Sequence, residues 1–286
     1  MSDYQETLYE GYGQRFAVDR MLYEGRTEHQ HLAIFENARM GRVMALDGVV
    51  QTAEADEFIY HEMLAHVPIL AHGLARRVLI IGGGDGGMLR EVAKHRDVES
   101  ITMAGVDGKL VEMCREFLPE HSRGAFEDAR LNLLIDDGLR FVLSVEEKFD
   151  VIIVDSTDPV GPGAALFSQE FYQACRRCLN DGGILVAQNG TPFLQLNEVQ
   201  ATAKRMSGLF PDWYFYQAAV PTYIGGAMAF AWGACDSESR KLSLGTLCQR
   251  FAGSGIVTRY YNPHVHLAAF ALPQYVLQAI GKPSND

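Results

Sequence analysis

Two segments of the chain place carboxylates directly after strongly apolar stretches. Residues 78–87 read VLIIGGGDGG and residues 150–162 read DVIIVDSTDPVGP. Each apolar stretch predicts a buried strand, so Asp85, Asp155 and Asp158 follow strand ends. Strand ends at one edge of a parallel sheet converge on a shared crevice. The sequence therefore predicts a nucleoside-type site lined by several carboxylates, which suits a cationic ligand.

The glycine turn at residues 82–87 indicates what that site can bind. Glycines such as Gly82 and Gly84 allow a ligand to approach the backbone closely, and the next helix would offer free N–H groups. Asp85 disfavours a pyrophosphate, because two anions would repel each other, and favours an amine or a hydroxyl. Asp155 and Asp158 are so close in sequence that one pKa should rise unless a cation, such as a bound amine, lies between them.

Two further carboxylates follow the next predicted strands. In dinucleotide-type folds the second strand ends on an acidic residue that binds the ribose, but this chain has Gly105 there and Asp107 two residues later. Asp137, followed by Gly138, ends the third strand and could accept a hydrogen bond from an adenine amino group. Asp107 and Asp137 could instead be helix N-caps.

The elements that must position these residues change character along the chain. Residues 1–60 contain short β-like runs with an Asp47-Gly48 hairpin signal, which predicts an antiparallel sheet of four or more strands. From residue 76, apolar strands alternate with helices, and this predicts a doubly wound sheet. We therefore expect an α/β protein with a small N-terminal antiparallel β domain (1–60) and a doubly wound, mostly parallel Rossmann-like domain (61–286).

Composition narrows the possible functions. The 286 residues have 25 Lys and Arg against 36 Asp and Glu, a formal net charge of −11, which argues against nucleic acid as a partner. There is no leader and no apolar run of about 20 residues, so we expect a cytoplasmic protein without a membrane segment. Five cysteines, an odd number without a secretion signal, favour reduced thiols. We expect no metal, since Cys175 and Cys178 form an isolated CxxC and no cysteine or carboxylate cluster accompanies His264 and His266.

Taken together, the motifs resemble those of the polyamine aminopropyltransferases, most closely the bacterial spermidine synthases. The resemblance is carried by LDGVVQ (46–51), DEFIYHE (56–62), IIGGGDG (80–86), DDG (136–138), DSTDP (155–159), GP (161–162), LF (166–167) and PTY (221–223). On its residues alone, DEFIYHE predicts an ordinary amphipathic helix from which Tyr60 and His61 could face the site. GGGDG and DSTDP together with Tyr60 distinguish this family from methyltransferases of the same fold.

The resemblance implies a reaction and a set of partners. Members of the family transfer the aminopropyl group of decarboxylated S-adenosylmethionine, a co-substrate, to putrescine, and the products are spermidine and methylthioadenosine. The sulfonium is already an activated leaving group, so no metal or other cofactor is expected. The resemblance also implies a homodimer or homotetramer that uses putrescine or a similar diamine.

The resemblance assigns a role to each site residue. Asp155 would be the general base, assisted by Tyr60. Asp158 and Tyr223 would position the diamine. Asp85 would hold the amine of the donor, in a place where the donor of a methyltransferase still carries a carboxylate. The other implied donor contacts are Gln30, His61, Gly82, Gly84, Asp107, Asp137, Gly138 and Pro162.

One departure from the family pattern leaves alternatives open. Family members usually have a glutamate at the tip of the second strand that binds the ribose, and this chain has Gly105. The chain could be a diverged member with a different nucleoside donor or reduced activity, a methyltransferase, or a non-catalytic nucleoside binder. Asp85 and the DSTDP loop oppose the methyltransferase, and the retained Tyr60 and Asp155 oppose loss of catalysis. Cadaverine, one methylene longer than putrescine, is an open alternative acceptor.

Overall fold

The computed structural model describes residues 2–105, 107–158 and 161–282, and it describes no side chains at 161 and 162. The strands are β1 (Ser2–Gln5), β2 (Arg15–Val18), β3 (Arg20–Arg26), β4 (His31–Asn37), β5 (Gly41–Leu46), β6 (Val49–Ala53), β7 (Arg77–Gly82), β8 (Ser100–Gly105), β9 (Leu131–Ile135), β10 (Phe149–Asp155), β11 (Leu179–Gln188), β12 (Asp212–Ala219) and β13 (Ala227–Ala234). The α-helices are α1 (Glu57–His72), α2 (Gly87–Ala93), α3 (Gly108–Phe117), α4 (Pro119–Ser122), α5 (Gly138–Ser144), α6 (Gln169–Cys178), α7 (Pro192–Met206), α8 (Leu244–Ser254), α9 (Pro263–Ala269) and α10 (Gln274–Ala279).

The N-terminal strands form two antiparallel sheets. β1 pairs with β2, and β3 to β6 form a four-stranded sheet in chain order. Asp47 and Gly48 join β5 to β6 with φ values of 48° and 87°, and a hairpin turn of this kind requires positive φ at both central residues. The predicted small antiparallel sheet is confirmed. The predicted domain boundary at residue 60 falls inside α1 and stays a prediction.

The large sheet has seven strands in the order β12-β13-β11-β10-β7-β8-β9. Five neighbouring strands run parallel, namely β11, β10, β7, β8 and β9. At the β11 end, β13 pairs antiparallel with β11 and β12 pairs antiparallel with β13. The chain runs outward from β7 in one direction and from β10 in the other, so the strand order reverses between these two neighbours. In open α/β sheets a ligand crevice forms outside the carboxyl ends at such a point. The predicted Rossmann-like architecture is confirmed.

Helix α1 departs from the prediction. The sequence predicts an amphipathic helix, but 13 of its 16 residues are buried. It lies between the large sheet, where it contacts β10, β11 and β12, and the helices α2 and α8. The helix is therefore covered on nearly all sides, and its polar residues have to find partners inside the protein. None of the helices in the described part of the chain combines the length and apolar character needed to cross a membrane.

Glu62 shows how a charged residue of α1 is satisfied. Its side chain is 1% exposed, and its carboxylate accepts backbone N–H bonds from Arg259, Tyr260 and Tyr261, each at 2.8 Å. These three residues lie between α8 and α9. Glu62 therefore anchors the C-terminal segment to the central helix through three charge-assisted hydrogen bonds.

We expect Glu62→Gln to lower the free energy of unfolding by about 1.5–3 kcal/mol, because an amide has only one oxygen to offer to the three N–H donors. Urea unfolding followed by fluorescence measures this change. Glu99→Gln is the matched control, since the exposed Glu99 side chain pairs only with Arg76 among the described residues. Loss of this pair should cost less than about 1 kcal/mol. Equal destabilisation by the two substitutions would contradict the anchoring role of Glu62.

Candidate active site

A cavity of about 410 Å³ opens at the carboxyl edge of the parallel strands, where the strand order reverses. Its volume is in the range typical of small-molecule sites. Twelve of the thirteen side chains or glycines singled out from the sequence line it: Gln30, Tyr60, His61, Gly82, Gly84, Asp85, Asp107, Asp137, Gly138, Asp155, Asp158 and Tyr223. The thirteenth, Pro162, has a side chain outside the described residues. Gly105 also lines the cavity.

The glycine turn brings the ends of β7 and β10 into close contact. Gly82 is level with Asp155 in the parallel register, and Gly83 N–H donates to the Asp155 carbonyl at 3.0 Å. A Cβ at Gly82, where φ is +91°, would come within 2.0 Å of that carbonyl oxygen. Only glycine fits here, because the backbone conformation and the contact both exclude a side chain. Asp85 lies further along the turn, where its Oδ1 accepts the Gly87 N–H at 2.8 Å.

Asp155 at the end of β10 is held by Tyr60 of α1. The Tyr60 hydroxyl donates to Asp155 Oδ1 at 2.7 Å. Burial, with a smaller contribution from the charge of Asp85, raises the pKa of Asp155 to about 6, although the charge of His61 and the Tyr60 hydrogen bond act in the opposite direction. Burial and the Asp155 charge raise the pKa of Tyr60 well above its usual value, so Tyr60 keeps its proton and stays a donor.

Asp158 does not behave as the sequence spacing predicts. Its pKa is raised mainly by burial, while a hydrogen bond from Gln195 Nε2 to Asp158 Oδ1 at 2.7 Å opposes that rise. Burial, and not repulsion between the two carboxylates, therefore raises the pKa of both Asp155 and Asp158. The carboxylate whose charge adds to the rise for Asp155 is Asp85. The predicted direction of the shift was correct, but the predicted cause was wrong.

His61 lies among carboxylates on three sides of the site. Its Nδ1 is 2.6 Å from Glu57 Oε2, and its Nε2 is 3.6 Å from Asp85 Oδ2. Burial alone would lower the pKa of His61, but the charge of Asp85 and the bond to Glu57 outweigh it and raise the pKa to about 9. Glu57 also accepts a bond from Arg90 Nη2 at 2.8 Å. His61 is therefore an imidazolium at neutral pH.

His61, Asp85 and Asp155 bring three potential ligand atoms within 4.8 Å of one another. A protonated His61 has no lone pair at Nε2, and the three side chains together keep a net negative charge. This arrangement suits an ammonium group better than a metal ion.

Tyr223, one of the two residues predicted to position the acceptor, lies on a loop that is held by the N-terminal part of the chain. The Tyr223 hydroxyl donates to the Gln51 carbonyl at 2.7 Å, and the Asp56 carboxylate accepts from the N–H and the hydroxyl of Thr222, both at 2.6 Å. The rings of Tyr60 and Tyr223 meet edge to face, with centroids 5.7 Å apart. The loop carrying Tyr223 is thus attached both to the start of α1 and to β6.

The two carboxylates at the opposite end of the cavity are both helix N-caps. Asp107 accepts the Leu110 N–H at 2.9 Å, and Asp137 accepts the Leu139 N–H at 2.8 Å. Asp107 Oδ2 also accepts bonds from Thr27 Oγ1 at 2.6 Å and Gln30 Nε2 at 3.3 Å. The N-cap alternative considered from the sequence is therefore real for both residues, and capping leaves each of them in the cavity wall.

Several residues of the site were missed in the sequence. Glu57 holds His61, Arg90 holds Glu57, Gln195 holds Asp158, and Thr27 holds Asp107. Glu57 could have been found, because it precedes His61 by four residues and so shares one face of the helix. The other three contacts join distant parts of the chain and leave no local pattern.

Comparisons with known proteins agree with this geometry. The family model described as the spermine/spermidine synthase domain matches residues 57–241, and the model described as the spermidine synthase tetramerisation domain matches residues 2–54. The chain is 77% identical to the polyamine aminopropyltransferase of Pseudomonas syringae pv. tomato and 76% identical to polyamine aminopropyltransferase 1 of Pseudomonas aeruginosa. Both matches cover 100% of each chain.

Two solved structures share the fold over almost the whole chain. A spermidine synthase in complex with the transition-state analogue AdoDATO superposes with a TM-score of 0.93 at 39% identity, covering 98% of this chain and 95% of that one. The spermidine synthase of Thermotoga maritima superposes with a TM-score of 0.92 at 38% identity, covering 98% and 94%. The family models, the full-length relatives and the shared fold together show that this chain is a transferase belonging to the polyamine aminopropyltransferase (spermidine synthase) family.

Proposed function

We propose that this enzyme transfers the aminopropyl group of decarboxylated S-adenosylmethionine to putrescine, which yields spermidine and methylthioadenosine. The observation that carries the proposal is the carboxylate of Asp85, which lines the cavity with one oxygen committed to Gly87 and the other facing His61. A buried carboxylate of this kind attracts an ammonium group and repels another carboxylate. The structural neighbour solved with AdoDATO supports a nucleoside donor.

Asp85 also separates this activity from that of a methyltransferase. Intact S-adenosylmethionine carries a carboxylate on the same arm as its amine. Placing that carboxylate near Asp85 would bury two like charges side by side. Burial of a charge without a partner costs on the order of several kcal/mol. The decarboxylated donor lacks this group and keeps the ammonium that Asp85 can bind.

The chemistry requires a neutral amine and good alignment. Asp155, with a pKa of about 6, is ionised at neutral pH and can take a proton from one ammonium of the diamine. The freed lone pair attacks the aminopropyl carbon next to the sulfonium, the C–S bond breaks, and methylthioadenosine leaves as a neutral thioether. Alignment of the two substrates can supply roughly 7–11 kcal/mol, and the base contributes perhaps 10²–10⁴-fold.

The remaining residues divide between the two substrates. Asp158 and Tyr223 would hold the far end of the diamine. Asp137 with Gly138 would contact the adenine, and Pro162 is proposed to close over it. Gln30 and Asp107, which are hydrogen-bonded to each other, would serve the ribose in the absence of a glutamate at residue 105.

We also propose that the enzyme is a cytoplasmic homo-oligomer, either a dimer or a tetramer. The match of residues 2–54 to a model described as a tetramerisation domain supports the assembly. All five cysteines are free thiols, which agrees with a reducing compartment.

An assay of the purified protein tests the proposed function. Decarboxylated S-adenosylmethionine is offered with putrescine, cadaverine or longer amines, and methylthioadenosine is measured. We expect turnover with putrescine, and calorimetry should show much weaker binding of intact S-adenosylmethionine. Equal affinity for the two donors would favour a methyltransferase, and absence of methylthioadenosine with every amine would refute the proposal.

We expect Asp155→Asn to lose at least about 100-fold in kcat, because the variant cannot accept the proton of the diamine. Circular dichroism should show that the variant stays folded. Asp97→Asn is the control, since Asp97 is exposed and does not line the cavity, and it should retain wild-type turnover. Near wild-type turnover of Asp155→Asn would remove Asp155 from the mechanism.

We expect Tyr60→Phe to move the acid limb of the kcat–pH profile to higher pH. Activity requires ionised Asp155 and so rises with pH through the pKa of that group. The Tyr60 hydroxyl stabilises the ionised form and lowers this pKa, so its removal raises the pKa. Tyr223→Phe should leave the limb in place, because the Tyr223 hydroxyl donates to Gln51 instead. An unshifted limb in Tyr60→Phe would contradict this coupling.

We expect Gly105→Glu to lower the KM for the decarboxylated donor by roughly tenfold or more, with a smaller change in kcat. A Cβ at Gly105 would meet only the Gly82 carbonyl oxygen, at 3.8 Å, among the described atoms, so a side chain fits. The ribose is remote from the reacting carbon, so contacts to it should stabilise the bound substrate and the transition state equally. Such contacts lower KM and leave kcat nearly unchanged. Gly105→Gln controls for bulk without charge. Weaker donor binding in Gly105→Glu would instead mean that Asp107 already serves the ribose or that the natural nucleoside differs.

A further inference from the structure

His61 occupies the position that the ammonium of the donor has to approach. Its Nε2 faces Asp85 Oδ2 at 3.6 Å, and this is the oxygen of Asp85 that Gly87 N–H does not use. The imidazole is 2% exposed and lines the cavity. Among the described residues, therefore, the cation nearest to the free oxygen of Asp85 is the protein's own histidine.

We propose that protonated His61 is a resident cation of the empty site, and that the ammonium of the aminopropyl donor displaces its Nε2 proton into solvent. The proposal rests on the proposed function, because it takes the aminopropyl arm to bind at Asp85. The donor ammonium keeps its three protons, His61 becomes neutral, and one proton leaves the complex.

The surroundings of His61 favour loss of the proton over movement of the ring. A Cβ on Gly87 would come within 2.3 Å of His61 Cε1, so the imidazole lies directly against the backbone at the start of α2. The rings of Tyr60 and His121 meet it edge to face at 5.3 and 6.3 Å. The side chain has little room to swing aside when a second cation arrives.

The charged and titratable groups around His61 hold its proton in the empty site. Glu57 and Tyr60 face it from α1, Asp85 from the glycine turn, Asp155 from β10 and His121 from α4, while Arg90 of α2 reaches it through Glu57. Burial lowers the pKa of His121, so His121 adds no charge at neutral pH. Arg90 and His61 together keep Glu57 ionised, and its pKa falls to about 2 although burial opposes this.

Binding of an ammonium changes this balance. The imidazolium and the ammonium would then both lie against the free oxygen of Asp85 in a buried site, where repulsion between like charges is poorly screened even with Asp155 nearby. Loss of the Nε2 proton removes the repulsion and leaves Nδ1–H bonded to Glu57 at 2.6 Å. The Nε2 lone pair, which faces the cavity once the proton has left, can then accept a hydrogen bond from the ligand ammonium. His61 thus changes from a competitor of the ligand into one of its acceptors, and Glu57 fixes the tautomer that makes this possible.

Calorimetry in two buffers of different ionisation enthalpy, phosphate and Tris, at about pH 7.5 counts the released protons. Three nucleosides separate the contributions of the ligand: the decarboxylated donor, its thioether analogue that keeps the aminopropyl amine but has no sulfonium, and methylthioadenosine. We expect the two amine-bearing ligands to release about one proton each, since a group with a pKa near 9 is almost fully protonated at this pH. Methylthioadenosine should release none. Equal proton release by all three ligands, or none by any, would overturn the proposal.

Two variants identify the source of the proton. His61→Gln keeps a polar side chain that does not titrate, and its complex with the thioether amine should form without proton release. At pH values below the pKa of His61, the wild-type affinity for that ligand should increase about tenfold for each unit by which the pH is raised. The affinity of His61→Gln should be nearly independent of pH. His266→Gln is the matched control, because His266 is also buried and hydrogen-bonded, to the hydroxyl of Tyr261, and it should behave as the wild type does.

Proton release that persists in His61→Gln would assign the proton to another group and overturn the proposal. Circular dichroism of each variant reports whether it is folded. A donor that binds and turns over without linked proton release would refute this inference and leave the proposed function intact. A donor that neither binds nor turns over would refute both.

Discussion

The proposed active site depends on the placement of three carboxylates, those of Glu57, Asp85 and Asp155, around one buried imidazole. Charges removed from water are costly unless they are paired and hydrogen-bonded. Arg90 neutralises Glu57 at 2.8 Å, His61 lies between Glu57 and Asp85, and Tyr60 donates to Asp155. The groups around the cavity therefore keep a net negative charge. This charge attracts cationic ligands, and the proposed reaction needs no metal ion.

The backbone makes this charge arrangement possible. β7 and β10 are adjacent parallel strands, and their ends are so close that only glycine fits at residue 82. Asp155 therefore ends one strand directly beside the turn that carries Asp85. Helix α1 packs on the sheet, places the Tyr60 hydroxyl against Asp155 at this edge and is buried on nearly all sides, so Glu57, Tyr60 and His61 come from a rigid element. Rigid placement of this kind keeps the charged groups oriented before a ligand arrives.

The sequence predicted those parts of the site that depend on short, continuous stretches of the chain. The apolar strands, the glycine turn and the terminal carboxylates predicted the sheet and the acidic residues of the cavity wall. The character of α1 was mispredicted, because its polar residues look solvent-facing and their partners lie on other elements. Arg90, Thr27 and Gln195 were missed for the same reason, since each contacts a residue at least 30 positions away. The pKa shift of Asp155 was foreseen, but its cause is burial, which a spacing argument cannot reveal.

The bonds between the N-terminal strands and the Tyr223 loop have a consequence for any attempt to dissect the enzyme. The Gln51 carbonyl accepts a hydrogen bond from the Tyr223 hydroxyl, and the Asp56 carboxylate accepts one from the Thr222 hydroxyl. Gln14 Nε2 donates to the Thr222 carbonyl at 2.7 Å. At the far end of the cavity, Thr27 and Gln30 brace Asp107. A truncated enzyme that kept only the Rossmann-like part would therefore lose the supports at both ends of the cavity. The segment that matches a tetramerisation-domain model thus also holds parts of the cavity wall, so a change in that segment would alter the cavity as well as any assembly made through it.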